Sequence, residues 1–333
     1  MWKPLVQGVA YCALRMNSLV VCLALLVLQS LMWSGHKLLH FAVVLLILRD
    51  LAPTYGASRW TDARLLEELG SVQVVISLTS TTQRVVHTKA TLSSLCSQNV
   101  PFQYEVILVE QPSQPFPPEL ELDCSKIVQV PEDLGSASKV AGLLHYETPE
   151  DTIILYLDDD RLWHQDLLRS AVQAALMNPD SVTAGQPSTL LPSGKTLLFP
   201  LGFDIPVAEF GVVVRRRFLT GLEPYLRRVF LRESACRRAD DLTLAAFYHS
   251  KAIPIQAAPW TLREAWPSEI SKRELPLGKL SDALHLQPGG NERAYTQCAP
   301  VLPVNLWWWG IANAVGSLAC GALLLVSIKN ALY

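Results

Sequence analysis

Apolar positions fall along this chain in two ways. At the ends they run almost unbroken. Residues 18–33 and 38–48 hold no Asp, Glu, Lys or Arg, with Gly35, His36 and Lys37 between the two runs, and residues 301–328 hold none either. Between these ends the apolar positions come in short blocks. Residues 72–78 read as a buried strand, 79–83 as a polar turn and 85–96 as a helix. Residues 104–109 read as a second strand ending at Glu110, and Pro112, Pro115, Pro117 and Pro118 then mark a loop. A short strand is expected over 126–130, and a helix opened by Gly135 and Ser136 runs to about Tyr146. Residues 153–157 are the most apolar strand, followed by a helix over 165–177 that stops at Asn178-Pro179. The stretch 183–214 mixes glycine, proline and short apolar runs and is expected to hold strands and substrate loops. A basic amphipathic segment reaches Arg238, and Asp240 and Asp241 then open a helix over 242–249. Strands alternating with helices predict βαβ units and a mainly parallel sheet.

A membrane span needs about 20 apolar residues. The C-terminal run meets this length and carries Trp307, Trp308 and Trp309 where an interfacial aromatic belt would sit. The two N-terminal runs are each short and read as a helical hairpin, as one span plus an interfacial segment, or as a cleaved signal peptide, although no clear small-x-small cleavage site follows 18–33. With a hairpin, Lys3, Arg15, Arg49, Arg59 and Arg64 share a side, which the positive-inside rule makes cytosolic; with one span, the central region faces the lumen. The hairpin is the favoured expectation. The chain of 333 residues thus divides into membrane segments over 1–52, a linker over 53–71, a soluble region over 72–300 and a C-terminal transmembrane helix over 301–333. The soluble region is long enough for one large α/β domain or two small ones.

The net charge of −2 implies no general attraction to nucleic acid, and no basic patch interleaves with aromatics. Arg215, Arg216 and Arg217, like Arg227 and Arg228, read as solvated faces or phosphate contacts. Of the seven cysteines, the four in the soluble region (96, 124, 236 and 298) lack zinc-ligand spacing. They form two disulfides in an oxidising lumen or stay free in the cytosol. No Asn-x-Ser/Thr sequon is present.

The candidate chemistry centres on Asp158, Asp159 and Asp160, which follow the apolar strand directly. Ligands of open α/β sheets bind beyond the carboxyl ends of strands. Three acids crowded there repel one another unless a cation lies between them, and oxygen ligands suit Mg²⁺ or Mn²⁺. The spacing of Asp158 and Asp160 puts both on one side of an extended segment. The bland alternative is an acidic turn capping the next helix. Asp240 and Asp241, weighed alone, also read as helix capping.

Taken together, these features resemble the GT-A glycosyltransferases, closest to family 2-like members, over roughly residues 72–300. The elements that carry the resemblance come in order: strand 72–78, Glu110 ending the second strand, the Gly135-led helix, the strand into Asp158-x-Asp160, the Gly211-x₃-Arg215-Arg216 segment, and Asp240-Asp241 heading a helix. The resemblance implies a GT-A, Rossmann-like sheet flanked by helices, with a nucleotide-binding half over 72–160 and an acceptor half over 161–300. It implies that Thr79, Ser80, Arg84 and Glu110 cradle the nucleotide, with Arg84 forking onto a phosphate and Lys139 acting as a point charge. Lys139 on a solvated helix face is the bland alternative. Asp158 would contact the ribose or the metal, and Asp160 the metal. His285 would be a third metal ligand, against an ordinary histidine beside a Gly-Gly turn. Asp241 would be the base that deprotonates an acceptor hydroxyl, with Asp240 supporting.

The implied activity is a membrane-anchored, Mn²⁺- or Mg²⁺-dependent glycosyltransferase. It would move one sugar, with inversion, from a nucleotide sugar (a UDP-sugar foremost) to a lipid or glycan acceptor, in the Golgi or ER membrane. Two departures bear on this. The second strand ends in Glu110-Gln111-Pro112 rather than the family's Asp-Asp-Gly-Ser, and Gln256 is followed by Ala257-Ala258-Pro259-Trp260, so the QxxRW motif of processive synthases is missing. A single transfer fits better than polymer synthesis. Trp163, Trp260 and Trp266 are candidates to stack on an acceptor or simply to fill the core. The rivals are a nucleotidyltransferase, disfavoured because the turn after the first strand lacks glycine, and an inactive scaffold that keeps the fold.

Overall fold

The computed structural model describes residues 59–113, 115–159, 161–185, 187–190, 196–197, 204–206, 208, 211–258 and 290–302. Seven strands form one sheet in the order β10-β5-β9-β4-β1-β2-β3. They are β1 (Val74–Thr79), β2 (Glu105–Glu110), β3 (Ser125–Gln129), β4 (Ile153–Tyr156), β5 (Val182–Ala184), β9 (Val212–Arg215) and β10 (Ile255–Ala257). Every pairing is parallel except those of β9, which runs antiparallel to both β4 and β5. A separate antiparallel sheet joins β6 (Pro187–Leu190), β7 (Thr196–Leu197) and β8 (Asp204–Pro206) in the order β7-β6-β8. The mainly parallel α/β sheet matches the expected fold class. The antiparallel β9 was not expected.

Alternate residues of each strand serve opposite faces, because the side-chain period of a strand is two. Ile76, Leu78, Leu108, Leu155 and Leu157 pack with Leu65, Leu92, Leu95 and Leu168. These come from α1 (Asp62–Leu69), α2 (Val85–Cys96) and α4 (Leu167–Met177). Val75, Val109, Ile154 and Tyr156 pack on the other face with Val140, Leu226, Leu242 and Tyr295. These come from α3 (Ser138–Ala141), α5 (Leu222–Arg232), α6 (Asp240–Ser250) and α7 (Gly290–Cys298). The helix expected from Gly135 to Tyr146 is α3 flanked by 3₁₀ turns at Gly135–Ala137 and Gly142–His145.

The tight approach of this segment to the sheet rests on Gly142. A Cβ there would run into Val109 Cγ1, with Val109 Cγ2 at 2.9 Å and Val130 Cγ1 at 3.1 Å. Gly142→Ala should therefore cost about 1–3 kcal/mol through overpacking, read as a lower urea midpoint with an unchanged m-value.

Part of the stretch expected as a linker is structured. Residues 62–69 form α1, capped by the Thr61 hydroxyl accepting from Arg64 N, and the segment is anchored by ion pairs from Arg59 to Asp166 and from Arg169 to Asp62. Among the described residues no helix is long and apolar enough to cross a membrane. The expected spans over 18–33, 38–48 and 301–328 lie outside the described residues, apart from 301 and 302. The four cysteines of the soluble region pair as Cys96–Cys124 and Cys236–Cys298, with Cα–Cα distances of 5.8 and 4.9 Å.

Candidate active site

The strand order reverses beside β1. The chain goes from β1 outward to β2 and β3, then returns to lay β4 on the other side of β1. Such a switch point opens a crevice at the carboxyl ends of the two strands. Here β1 ends at Thr79 and is followed by Ser80, and Leu157, Asp158 and Asp159 follow β4. The β4 strand is the middle one of seven and fully buried, as its apolar run predicts.

Strand alternation sends the adjacent acids to opposite faces. Asp158 follows Tyr156 on the face of α3 and α6. Lys139 Nζ lies 2.7 Å from Asp158 Oδ1 and 2.8 Å from Asp240 Oδ2. Asp159 follows Leu157 on the face of α2. It receives the Ser80 hydroxyl and Arg84 Nη1, the latter at 2.6 Å, and Thr91 Oγ1 donates to its carbonyl oxygen at 2.9 Å. Asp159 is thus an internal counter-ion. It draws Ser80 and Arg84, expected on the nucleotide, into its own bonds. Asp160 and His285 lie outside the described residues.

Lys139 was expected to reach a phosphate. Its ammonium is instead 3% exposed, beneath two carboxylates. Its carbonyl accepts from Ser77 Oγ at 2.5 Å, which ties α3 to β1. Burial alone would push the Lys139 pKa down, but the charges of Asp158, Asp240 and Asp241 hold it well above the usual lysine value. Burial likewise pushes Asp158 up, and Lys139, Arg161 and Arg84 overcome it and hold the carboxyl below its usual value.

Asp240 and Asp241 occupy the first turn of α6, where the helix dipole favours negative charge. Asp241 Oδ1 accepts from Ala208 N at 3.2 Å. Burial, and then the charge of Asp240, push the Asp241 carboxyl well above the usual range; Lys139 opposes this and Asp158 adds to it. Two phenols, Tyr156 and Tyr295, feel the charge of the pair, and Tyr248 interacts with Tyr156. Burial raises Tyr156 and Tyr295 well above the usual tyrosine value, and the charges of Asp240 and Asp241 add to the shift in each. Tyr248 is fully buried on α6 beside Tyr156, and among the described residues neither hydroxyl has an aligned hydrogen-bond partner.

Glu110 is placed differently from the expectation that it contacts a nucleotide. Its carboxylate accepts from Phe116 N at 2.5 Å and Gln129 Nε2 at 2.6 Å, so both oxygens pin the proline loop to β3. The neighbouring Gln111 reaches into the crevice instead, with Nε2 2.9 Å from Gly135 O and 3.3 Å from Thr79 Oγ1, while Thr79 donates to Val109 O at 2.9 Å. Gly135 has φ +62°, and a Cβ there would sit 2.7 Å from Arg237 O, so glycine lets this turn abut the segment that launches α6. Arg215, Arg216 and Arg217 lie at the opposite end of β4, on Asp151, Glu150 and Asp180. Arg215 is buried and Arg216 and Arg217 are partly buried, all away from the acids. Trp163 is buried against the α2 and α4 face, whereas Trp260 and Trp266 lie outside the described residues.

No protein family and no curated protein matches the sequence. Solved structures do resemble the fold. One is the mannosyltransferase PcManGT from Pyrobaculum calidifontis in complex with GDP-Man and Mn²⁺, at TM-score 0.37 and 17% identity, covering 89% of this chain and 92% of that one. The glycosyltransferase GlyE of Streptococcus pneumoniae TIGR4 has TM-score 0.37 and 14% identity, covering 65% and 50%. S. aureus TarS 1–349 in complex with UDP has TM-score 0.37 and 12% identity, covering 77% and 92%.

Proposed function

We propose that this chain is a glycosyltransferase that moves one sugar from a nucleotide-sugar donor to an acceptor hydroxyl with inversion. The observation that carries the reading is the convergence of two carboxylate sets on one cation. Asp158, at the switch point of the sheet, and Asp240, beside Asp241 at the head of α6, lie 2.7 and 2.8 Å from Lys139 Nζ. One set stands where a nucleotide binds an open α/β sheet. The other offers a partly buried carboxyl with a raised pKa, as a general base needs. In this reading Asp241 takes the acceptor proton. The acceptor oxygen then bonds to the anomeric carbon, and the bond from that carbon to the diphosphate oxygen breaks with its electron pair leaving on the diphosphate.

A divalent cation fits the donor side in part. Asp158 engages Lys139 through Oδ1 while its side chain stays 35% exposed, so the carboxylate is accessible to a ligand. Among the described residues no group of three His, Cys, Asp or Glu side chains is placed to hold a metal ion. Asp160 and His285 remain the proposed completing ligands. Mn²⁺ or Mg²⁺ bound there would neutralise the departing diphosphate.

The two disulfides support an oxidising compartment, against the cytosolic side favoured by counting N-terminal charges. We therefore prefer one N-terminal crossing, with Lys3 and Arg15 in the cytosol and the domain in the lumen. This topology also puts Lys329, beyond the C-terminal run, on the cytosolic side. A luminal site favours a glycan or protein acceptor over a cytosol-facing lipid.

The test is a donor screen on detergent-purified full-length protein: UDP-, GDP- and CMP-sugars with and without Mn²⁺ or Mg²⁺, beside Asp158→Ala. The expected outcome is selective, metal-dependent binding to one nucleotide, weakened at least about 10-fold in Asp158→Ala. Binding of no donor by folded protein would sink the reading.

A further inference from the structure

Lys139 joins two parts of the chain that the proposed reaction must keep in register. It sits on α3, whose backbone is held to β1 by the Ser77 hydroxyl. Its ammonium reaches the donor-side acid after β4 and the first acid of α6 at nearly equal distances, 2.7 and 2.8 Å. A lysine that binds a donor phosphate presents its ammonium to the crevice. This one is sealed under the two carboxylates: it donates a hydrogen bond to Asp158, and Asp240 Oδ2 lies 2.8 Å away as a charge partner without an aligned hydrogen bond. Removing one partner from such a buried pair leaves the others as uncompensated like charges.

Resting on the glycosyltransferase reading, we infer that Lys139 is a positioning residue: it clamps donor-side Asp158 to Asp240 and thereby fixes the base, Asp241, against the acceptor. Without the cation, Asp158 and Asp240 repel each other, and the head of α6 shifts relative to the donor. Among the described residues, the titratable groups facing Asp241 are then acids and phenols: Asp240 on its own helix, Asp158 from the β4 end, and Tyr156 and Tyr295 from β4 and α7, beside the Ala208 N–H. The first turn of α6 is therefore the part that depends most on Lys139.

The experiment compares wild type, Lys139→Met, Asp240→Asn and the double variant, measuring kcat, donor KM, the pH–rate profile and direct binding of the nucleoside diphosphate. Lys139→Met is expected to lower kcat about 100-fold while donor KM changes less than about 10-fold. The ascending limb of its pH profile should move to higher pH, because a positive charge beside Asp241 is gone. In the Asp240→Asn background, Lys139→Met should cost much less, because the pair is removed together. That comparison also serves if Lys139→Met alone does not fold. A phosphate-binding lysine would instead raise KM and weaken diphosphate binding about 100-fold with the limb unmoved, and this would overturn the inference. Additive losses in the double variant, or a lower melting temperature with unchanged kinetics of the folded protein, would overturn it too. Wild type that transfers no sugar from any donor would defeat the parent reading instead.

Discussion

Asp241→Asn should retain nucleotide binding and lose about 10²–10⁴-fold in kcat, the usual contribution of a positioned general base. Asparagine keeps the shape of the side chain and an oxygen that can accept from Ala208 N, so the bond of 3.2 Å can persist. What disappears is the capacity to take a proton. Asp241 is held well above the ordinary carboxylate range by burial and by the charge of Asp240. The wild-type rate should therefore rise with pH along a limb lying above the usual carboxylate value of about 4. Asp240→Asn removes the second largest cause of that shift, so its limb should move to lower pH.

The same displacement has a consequence for stability. A carboxyl with a folded pKa above its unfolded one contributes stability that is complete below the unfolded value and is lost as pH rises through the folded value. At neutral pH Asp241 therefore weakens the fold relative to a neutral isostere. Asp241→Asn should melt above wild type at pH 7 and close to it in acid. Calorimetry at two pH values with steady-state kinetics checks both halves. Normal turnover by Asp241→Asn would remove Asp241 as the base.

Why some of this could be read from residues alone is clearest at β1, β2 and β4. Buried parallel strands need apolar side chains on both faces, so they appear as unbroken runs, and acids that end such a run stand out. The head of α6 was legible because two aspartates before an apolar stretch start a helix well. Three features were hidden because they depend on chain that is distant in sequence. The antiparallel β9 lies between β4 and β5, and nothing in Val212–Arg215 says which neighbours it takes. The division of labour between Asp158 and Asp159 follows from which helix covers each sheet face. Glu110 was matched by position, yet its carboxylate satisfies Phe116 N and Gln129 Nε2, while Gln111 supplies the crevice contacts. The sequence also showed crowded acids as a source of repulsion. In the fold, Asp158 and Asp240 share Lys139, and Asp159 takes Arg84. Sequence position had no means of assigning those cations.

The two disulfides should differ sharply in what their removal does. Cys236 lies in the 3₁₀ turn Ser234–Arg237, four residues before Asp240, and Cys298 ends α7 three residues after Tyr295. Thr243 Oγ1 lies 3.6 Å from Cys298 Sγ and bonds Ala239 O at 2.9 Å, so the bridge rests against the first turns of α6. It closes a separation of 62 residues, for which loop entropy gives about 4 kcal/mol. Cys96–Cys124 closes 28 residues, worth about 3.5 kcal/mol by the same relation, but its cysteines pack with the other core, on the α1 and α2 face. Paired Cys→Ser variants should therefore both melt lower. Only the Cys236/Cys298 pair should also lose kcat, because α7 and Tyr295 are then no longer held against the acids. The check is to measure melting temperature, and kcat at a temperature where both variants are folded, together with a thiol count on unreduced protein. Equal kcat in the two variants would make Cys236–Cys298 a plain stability bridge. Seven free thiols in protein isolated without reductant, in place of the three that two disulfides leave, would favour a reducing compartment, and with it the case for a cytosol-facing lipid acceptor.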